Sequence, residues 1–154
     1  MENDRIADLF DEIADLLELQ GGNEFRIRSY RNAARTIRDL SRRVADMVED
    51  GEDLTELSNI GESTAEKIKE TLERGTCERL EILRAEGPAG LTELMKIPGL
   101  GPRKVRQLHD ELGVESIEDL KKACEEGNVR ELEGWGDRSE QKVLDGIKTV
   151  ESAA

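Results

Sequence analysis

The amino-acid sequence predicts an all-α fold made of two small helical domains, and three observations support this prediction. Apolar residues recur at intervals of three and four along most segments, as on the buried face of a helix. No segment alternates between apolar and polar residues over a useful length, as a half-buried strand would. One short glycine-containing turn in front of a predicted helix occurs three times.

The N-terminal half of the chain is predicted to contain five helices. The first has apolar residues at helical spacing and ends at Gly21 and Gly22, and the second carries an inward apolar stripe and a separate row of arginines. Gly75 ends the fourth helix, and Gly87 with Pro88 ends the fifth. These predicted helices cover residues 2–19, 25–40, 44–48, 64–74 and 78–85.

The pair Gly87-Pro88 is the clearest linker signal, so we expect a domain boundary near 82–90. A four-helix N-terminal domain over residues 1–84 carries the first turn, and a second domain over residues 88–151 carries the other two. The predicted helices of the second domain cover residues 91–95, 102–112, 117–125 and 139–150, with a short turn at 129–132. We expect residues 151–154 to fray.

The repeated turn reads LSNIGESTAEKI at 57–68, IPGLGPRKVRQL at 97–108 and LEGWGDRSEQKV at 132–143. The last glycines of the three turns align. Each copy is typical of two helices joined by a tight backbone turn, which is a helix-hairpin-helix motif. Such a turn presents backbone N–H groups at a helix N-terminus, where they and the helix dipole attract a phosphate oxygen. The recurrence therefore predicts binding to the backbone of a nucleic acid.

The second hairpin has the best chemistry for a phosphate. Gly99 and Gly101 supply backbone freedom, and Leu100 between them is expected to pack under the turn. Arg103 and Lys104 project beside the start of the following helix. We expect all five residues to form a DNA contact.

The first hairpin is expected to contact DNA through Asn59, Ile60 and Gly61. Asn59 replaces the leading glycine, and asparagine tolerates the left-handed backbone conformation better than other non-glycine residues. Glu62 follows directly, so this hairpin has a weaker phosphate site than the second.

The third hairpin is expected to be mainly structural. Gly136 aligns with Gly61 and Gly101, but Asp137 at the helix start repels a phosphate. We expect Trp135 to pack in the core under its turn, with stacking on a nucleobase as the alternative.

The distribution of charge removes an objection to DNA binding. The whole chain has a formal charge of −13, but the segment from Arg26 to Arg43 holds seven arginines and one acid. Arg26 and Arg31 in this segment are candidate DNA contacts. Arginine is commoner than lysine, and acidic residues cover the remaining surface, which suggests a protein from a high-salt cytoplasm. At about 1 M salt the Debye length is ~3 Å, so the repulsion between the acidic residues and DNA is screened.

Several segments together resemble the N-terminal region of the family X DNA polymerases, the group that includes DNA polymerase beta. They are NEFRIRSYRNAARTI at 23–37, NIGESTAEKI at 59–68, IPGLGPRKVRQL at 97–108 and the run from Ser116 to Ile147. Their order and spacing agree over essentially the whole chain, and the prokaryotic members are the most similar. The resemblance implies a lyase-like domain, then a helix-hairpin-helix domain that grips duplex DNA at a gap or nick.

The same resemblance implies an enzymatic alternative. Lys67 falls at the nucleophile position of the family's 5′-deoxyribose phosphate lyase, with Glu66 beside it and Tyr30 at the position of the active-site tyrosine. Arg26 and Arg79 fall where lysines hold the 5′-phosphate. Such a lyase forms a Schiff base with the sugar and requires no metal.

The resemblance further implies that K⁺ or Na⁺ binds to carbonyl oxygens of the hairpins, and no other cofactor is expected. The residues concerned are Leu57 and Ile60 in the first hairpin and Met95, Ile97 and Leu100 in the second.

Two broader alternatives remain. The polymerase reaction requires clustered aspartates in a palm domain, and nothing after Asp145 supplies them, so we expect an N-terminal fragment or a stand-alone protein without polymerase activity. A helical protein-interaction scaffold that binds no DNA is the third class of function. We expect a cytoplasmic monomer, since no run of about 18 apolar residues or signal sequence is present and no membrane partner is implied.

Overall fold

The computed structural model of the protein describes residues 1–86 and 89–153. These residues form helices, turns and loops and contain no strand, so the all-α prediction is confirmed. Two 3₁₀ turns, Leu54–Glu56 and Val129–Glu131, precede the first and third hairpin turns. The α-helices are α1 (Asn3–Leu19), α2 (Glu24–Asp39), α3 (Val44–Glu49), α4 (Glu62–Arg74), α5 (Glu78–Glu86), α6 (Ala89–Leu94), α7 (Pro102–Leu112), α8 (Ile117–Glu125) and α9 (Asp137–Ala153).

The chain divides into two compact units, Met1–Glu86 and Gly87–Ala154. The first unit contains the first hairpin and the second unit contains the other two. All five helices predicted for the N-terminal half are present, and α5, which packs against α1, belongs to the first unit together with the four helices assigned to the N-terminal domain. The predicted Gly87-Pro88 linker lies outside the described residues.

The first unit is built around the apolar face of α1, which packs mainly on α2. Phe10 of α1 is fully buried and stacks against the ring of Tyr30 of α2, with ring centres 6.0 Å apart. Arg84 of α5 pairs with Glu12 of α1, and Gln20 Nε2 donates to the carbonyl of Leu83 at 3.0 Å. Other fully buried side chains of this core are Ile6, Ile13, Leu16, Ile37 and Ile68.

The second unit has its own core of Leu94, Ile97 and Leu108, all fully or almost fully buried. Gly146 in the middle of α9 allows the second hairpin to approach this helix closely. A Cβ atom at this position would lie only 2.8 Å from Ile97 Cγ2 and 3.3 Å from Pro98 Cδ. The second hairpin turn therefore rests on the backbone of α9 rather than on a side chain.

Two helix boundaries differ from the sequence prediction at the hairpins. α4 begins at Glu62 and α9 at Asp137, each directly after a hairpin glycine and two residues earlier than predicted. The expected fraying of the C-terminal tail was wrong for residues 151–153, because α9 continues to Ala153. Ala154 lies outside the described residues.

Candidate nucleic-acid interface

The three repeated turns share one backbone geometry. The turns cover residues 57–60, 97–100 and 132–135. In each turn the carbonyl of the first residue accepts a hydrogen bond from the amide of the fourth, at 3.2, 3.1 and 3.0 Å in chain order. The third residue has a positive φ: 66° at Asn59, 87° at Gly99 and 83° at Gly134. This combination is that of a type II turn, which favours glycine or asparagine at the third position.

The glycines that follow the turns, Gly61, Gly101 and Gly136, are not required by the protein's own packing. Gly61 has φ −92° and Gly101 has φ −87°, values that any residue adopts. A Cβ atom at any of the three positions would meet no atom within 4 Å. Each glycine therefore leaves open space at the surface before the first turn of a helix.

The helices that start after Gly61 and Gly101 have no side-chain cap. Serine, threonine, aspartate and asparagine are the usual N-cap residues, because their side chains accept the first free amides of the helix. Gly61 and Gly101 have no side chain that could do this, and within residues 1–86 and 89–153 no side chain accepts the amides of Ser63, Thr64 or Lys104. The amides of Ser63 and Thr64 in α4, and of Lys104 in α7, are thus available at the positive end of a helix dipole.

Acidic groups at the third hairpin bind Arg130 of the preceding loop. Glu140 is almost completely buried, and its Oε2 accepts the backbone N–H of Arg130 at 2.9 Å. Asp137, at the first helical position, lies 3.5 Å from Arg130 Nη1. These carboxylates hold the hairpin to its preceding loop and place negative charge at the start of α9, where the second hairpin has Pro102 and Val105.

Trp135 does not pack in the core as its aligned neighbours do. Ile60 and Leu100 are each 4% exposed, whereas Trp135 is half-buried. Its indole N–H donates to Gln107 Oε1 at 2.9 Å, and Lys104 Nζ lies 5.5 Å from the ring centre. The expectation of core packing was therefore wrong, because an indole is larger than Ile or Leu and its N–H requires an acceptor.

The arginines of residues 26–43 divide into two groups. Arg31 contacts three carboxylates of α1, and Arg38 binds Asp8 and Asp11 at 2.6 Å each. Hydrogen bonds to Asp11 and Asp8 raise the pKa of Arg38 above its ordinary value. Arg42 pairs with Asp50 and Glu52. Arg43 pairs with Glu2 and Asp46.

The remaining arginines of this segment are Arg26, Arg28 and Arg35, which are exposed. No ion pair within residues 1–86 or 89–153 engages them. Arg31, a DNA contact in the sequence prediction, instead lies among carboxylates of α1, while Arg26 keeps a free guanidinium. Only part of the predicted positive stripe is thus available to an external anion.

A cleft of about 350 Å³ in the first unit collects four of the predicted site residues. Lys67 of α4 shares it with Arg26 and Tyr30 of α2 and with Arg79 of α5. Lys67 Nζ donates to Ser63 Oγ at 2.7 Å. Glu66 lies in an adjoining depression of about 260 Å³, which Lys67 and Arg79 also line. The fold therefore brings together side chains from three helices around one lysine.

Three features of this region were missed by reasoning from the sequence. Ser29 and Thr64 also line the cleft, but in the sequence both residues look like ordinary polar residues on the exposed face of an amphipathic helix. Phe25, next to Arg26, is 73% exposed. In the sequence, Phe25 lies outside the inward apolar stripe of α2, and this position indicates that its side chain is exposed. The first hairpin is tied to α2 by a hydrogen bond from Asn59 Nδ2 to Thr36 Oγ1 at 3.2 Å.

The predicted cation ligands are carbonyls of the turns and of the residues just before them. The carbonyls of Leu57 and Ile97 already accept the hydrogen bonds that close their turns. A carbonyl oxygen has a second lone pair, so both can still bind a cation. In the described part of the chain, no backbone amide outside the helices donates to the carbonyls of Ile60, Met95 or Leu100. The set is chemically suitable for K⁺ or Na⁺.

Side chains that could form a different kind of metal centre do not cluster in the described ranges. These ranges contain no group of three or more His, Cys, Asp or Glu side chains that could hold a metal ion. None of their helices is both long enough and apolar enough to cross a membrane.

Comparison with protein families gives two matches that follow the two units. A model described as a helix-hairpin-helix domain matches residues 1–77. A second model, described as a SAM-like helix-hairpin-helix tandem, matches residues 91–149.

Two curated relatives are similar to parts of this chain. DNA polymerase/3'-5' exonuclease PolX of Bacillus subtilis (strain 168) is 40% identical over 147 residues, which are 96% of this chain and 25% of the relative. DNA ligase of Synechococcus sp. (strain JA-3-3Ab) is 41% identical over 56 residues, 36% of this chain and 8% of the relative. The chain thus spans about a quarter of the polymerase, and the resemblance to the N-terminal part of a family X DNA polymerase is confirmed.

Proposed function

This chain belongs to the helix-hairpin-helix domain family, and on that premise we propose that it binds the sugar–phosphate backbone of gapped or nicked duplex DNA in repair. The observation that carries the proposal is the pair of open glycines, Gly61 and Gly101, each directly before an uncapped helix. Similarity to a DNA polymerase and a DNA ligase supports DNA as the partner.

The open glycines admit a phosphate that a side chain would exclude. A phosphate oxygen at the N-terminus of α4 or α7 meets free amides at the positive end of the helix dipole. Hydrogen bonds from such amides to a charged oxygen stabilise a complex by about 1.5–3 kcal/mol each at most. Contacts of this kind position a protein on DNA without reading its bases, so sequence preference is weak.

The preference for gaps or nicks rests on the neighbourhood of the first hairpin. α4 contributes both the uncapped helix start and Lys67 of the cationic cleft. A strand end carries a terminal phosphate with more negative charge than an internal phosphodiester. Arg26 and Arg79 in the cleft suit that charge, whereas an intact duplex offers no such end.

Three exposed arginines of α2 extend the positive surface beside the first hairpin. Asn59 contacts α2 at Thr36, next in sequence to Arg35. Arg28 and Arg35 are seven residues apart and lie about 10.5 Å apart along the helix axis, so they project from the same side. Both guanidiniums can contact phosphates of the strand that the hairpin holds.

A second candidate function is 5′-deoxyribose phosphate lyase, favoured by the grouping of Lys67, Tyr30, Arg26 and Arg79 in one cleft. The neutral amine of Lys67 adds to C1′ of the ring-opened sugar and releases water to form a Schiff base. The Glu66 carboxylate then takes a C2′ proton, which breaks the C3′–O bond and frees the strand with its 5′-phosphate, while Tyr30 lines the cleft around the sugar. Water finally hydrolyses the Schiff base and restores the lysine.

A monovalent cation would complete the phosphate sites of the first two hairpins. Carbonyls of Leu57 and Ile60 in one hairpin, and of Met95, Ile97 and Leu100 in the other, would hold K⁺ or Na⁺. The cation would supply one positive charge beside a bound phosphate.

Replacing Gly101 by valine should weaken binding to a gapped duplex by about tenfold or more, because the side chain fills the phosphate position. Gly136→Val is the matched control and should change affinity by less than about twofold. Neither Cβ meets an atom within 4 Å, so the direct packing cost is small at both sites. Fluorescence anisotropy measures affinity and circular dichroism compares melting temperatures. A larger loss for Gly136→Val would contradict the ranking of the hairpins.

Neutralising Arg28 and Arg35 together as glutamines should lower DNA affinity and reduce the slope of log K against log salt by about 1.8. The charge-matched pair Arg31→Gln and Arg38→Gln should leave that slope unchanged. It should instead lower the free energy of unfolding by about 1–2 kcal/mol, because carboxylates of α1 lose their partners. Binding titrations at several salt concentrations and urea unfolding separate the two effects. Equal salt slopes for both double variants would exclude the proposed division of the arginines.

Exchange of K⁺ and Na⁺ for tetramethylammonium at constant ionic strength should weaken DNA binding several-fold, because the large cation does not fit between carbonyl oxygens. Anisotropy titrations in the three chlorides provide the measurement. Equal affinity in all three would remove the cation from the proposal.

Borohydride trapping on an incised abasic duplex should yield a covalent protein–DNA adduct if Lys67 forms the Schiff base. Lys67→Ala should abolish the adduct, whereas Lys69→Ala on the same helix is the control and should retain it. Gel electrophoresis of the trapped products reads the result at several salt concentrations. The absence of adduct from the unmodified protein at every salt concentration would exclude lyase activity and leave DNA binding intact.

A further inference from the structure

The turn of the third hairpin is attached to the helix that follows the second hairpin. Gln107 of α7 bridges the turn: its Nε2 donates to the carbonyl of Glu133 at 3.1 Å, and its Oε1 accepts the indole N–H of Trp135 at 2.9 Å. Lys104, one helical turn earlier on α7, has its Nζ 5.5 Å from the centre of the Trp135 ring. Residues at spacing i and i+3 share a helix face, so one face of α7 meets the third turn.

We propose that the third hairpin positions Lys104 for a DNA phosphate at the second hairpin, with Trp135 as the positioning residue. This inference rests on the proposed function, because it assigns a supporting element to the phosphate site at the N-terminus of α7. The third turn, whose own carboxylates Asp137 and Glu140 pair with Arg130, thereby supports the phosphate site of the neighbouring hairpin.

Attraction between the Lys104 ammonium and the Trp135 indole ring restricts the conformations of the lysine side chain. A lysine side chain at a helix start is flexible, and ordering it opposes any contact it makes with a ligand. An aromatic face beneath the ammonium restricts that motion while leaving the N–H donors directed outward. Because Gln107 holds the indole through its N–H, the ring in turn has a defined orientation. The lysine therefore meets a phosphate with less conformational entropy to lose.

The larger residue at position 135 is explained by this arrangement. Ile60 and Leu100 occupy the same place in their turns and are buried beneath them. Trp135 is half-buried, with its ring reaching α7. A side chain that only filled the space under the turn would need neither the hydrogen bond to Gln107 nor the contact with Lys104.

A double-mutant cycle on the full chain tests the proposal. Trp135→Leu removes the ring, Trp135→Phe keeps an aromatic face, and each is combined with Lys104→Ala. With Lys104 present, Trp135→Leu should weaken binding to a gapped duplex by about threefold, and Trp135→Phe should change it much less. In the Lys104→Ala background, Trp135→Leu should have almost no further effect. Circular dichroism melting identifies variants whose second unit is disrupted.

The salt dependence of binding supplies a readout that a purely structural role would not change. Lys104→Ala should reduce the salt slope by about 1, and Trp135→Leu should shift it in the same direction while Trp135→Phe keeps it. Equal losses for Trp135→Leu in both backgrounds, with an unchanged slope, would overturn the proposal. A loss confined to single-stranded DNA in both backgrounds would instead indicate direct base stacking and also overturn it. Failure of the unmodified chain to bind any DNA would refute the proposed function itself, which separates the two conclusions.

Discussion

The second-hairpin surface depends on a backbone constraint: a type II turn whose third residue is left-handed delivers the chain directly into an uncapped helix. Gly99 satisfies the turn, and Gly101 leaves the following amides without a side-chain acceptor. Because a glycine at the N-cap stabilises a helix almost as well as the usual capping residues, the chain loses little stability by leaving this end open. The helix start can therefore be stable and still leave its amides open to a ligand. The first hairpin has the same arrangement, with Asn59 in the turn and Gly61 before the helix.

A second organising influence is the way an acidic chain uses its arginines. α1 directs Asp8 and Asp11 toward Arg38, and Asp11, Asp15 and Glu18 toward Arg31. Burial raises the pKa of Asp15 even though its hydrogen bond to Arg31 lowers it, so this contact lies partly out of water. The paired arginines hold the first two helices together, and the unpaired ones face outward. A negative net charge thus coexists with a small positive surface beside the first hairpin.

The helices and the three turns could be predicted from the sequence, because both depend on nearby residues. Apolar residues at helical spacing predict a helix, and a glycine or asparagine that adopts a positive φ predicts a turn. The candidate cleft could be predicted only from the resemblance to the family X DNA polymerases, which places Tyr30, Lys67 and Arg79 in one site. In the structure these three residues line the same cleft. The partners of individual arginines and of Trp135 were not predictable. Arg38 meets Asp8 across 30 residues and Trp135 meets Gln107 across 28, so these contacts depend on tertiary packing that spacing alone does not encode.

Close packing of the second hairpin on α9 has a mechanical consequence. At Gly146 no side chain separates the helix backbone from Ile97 and Pro98, so the contact has no compressible layer. α9 itself begins at the third hairpin, so both turns of this unit are supported by one stiff rod. A force applied to the second hairpin would therefore act directly on the backbone of α9, the same helix that begins at the third hairpin.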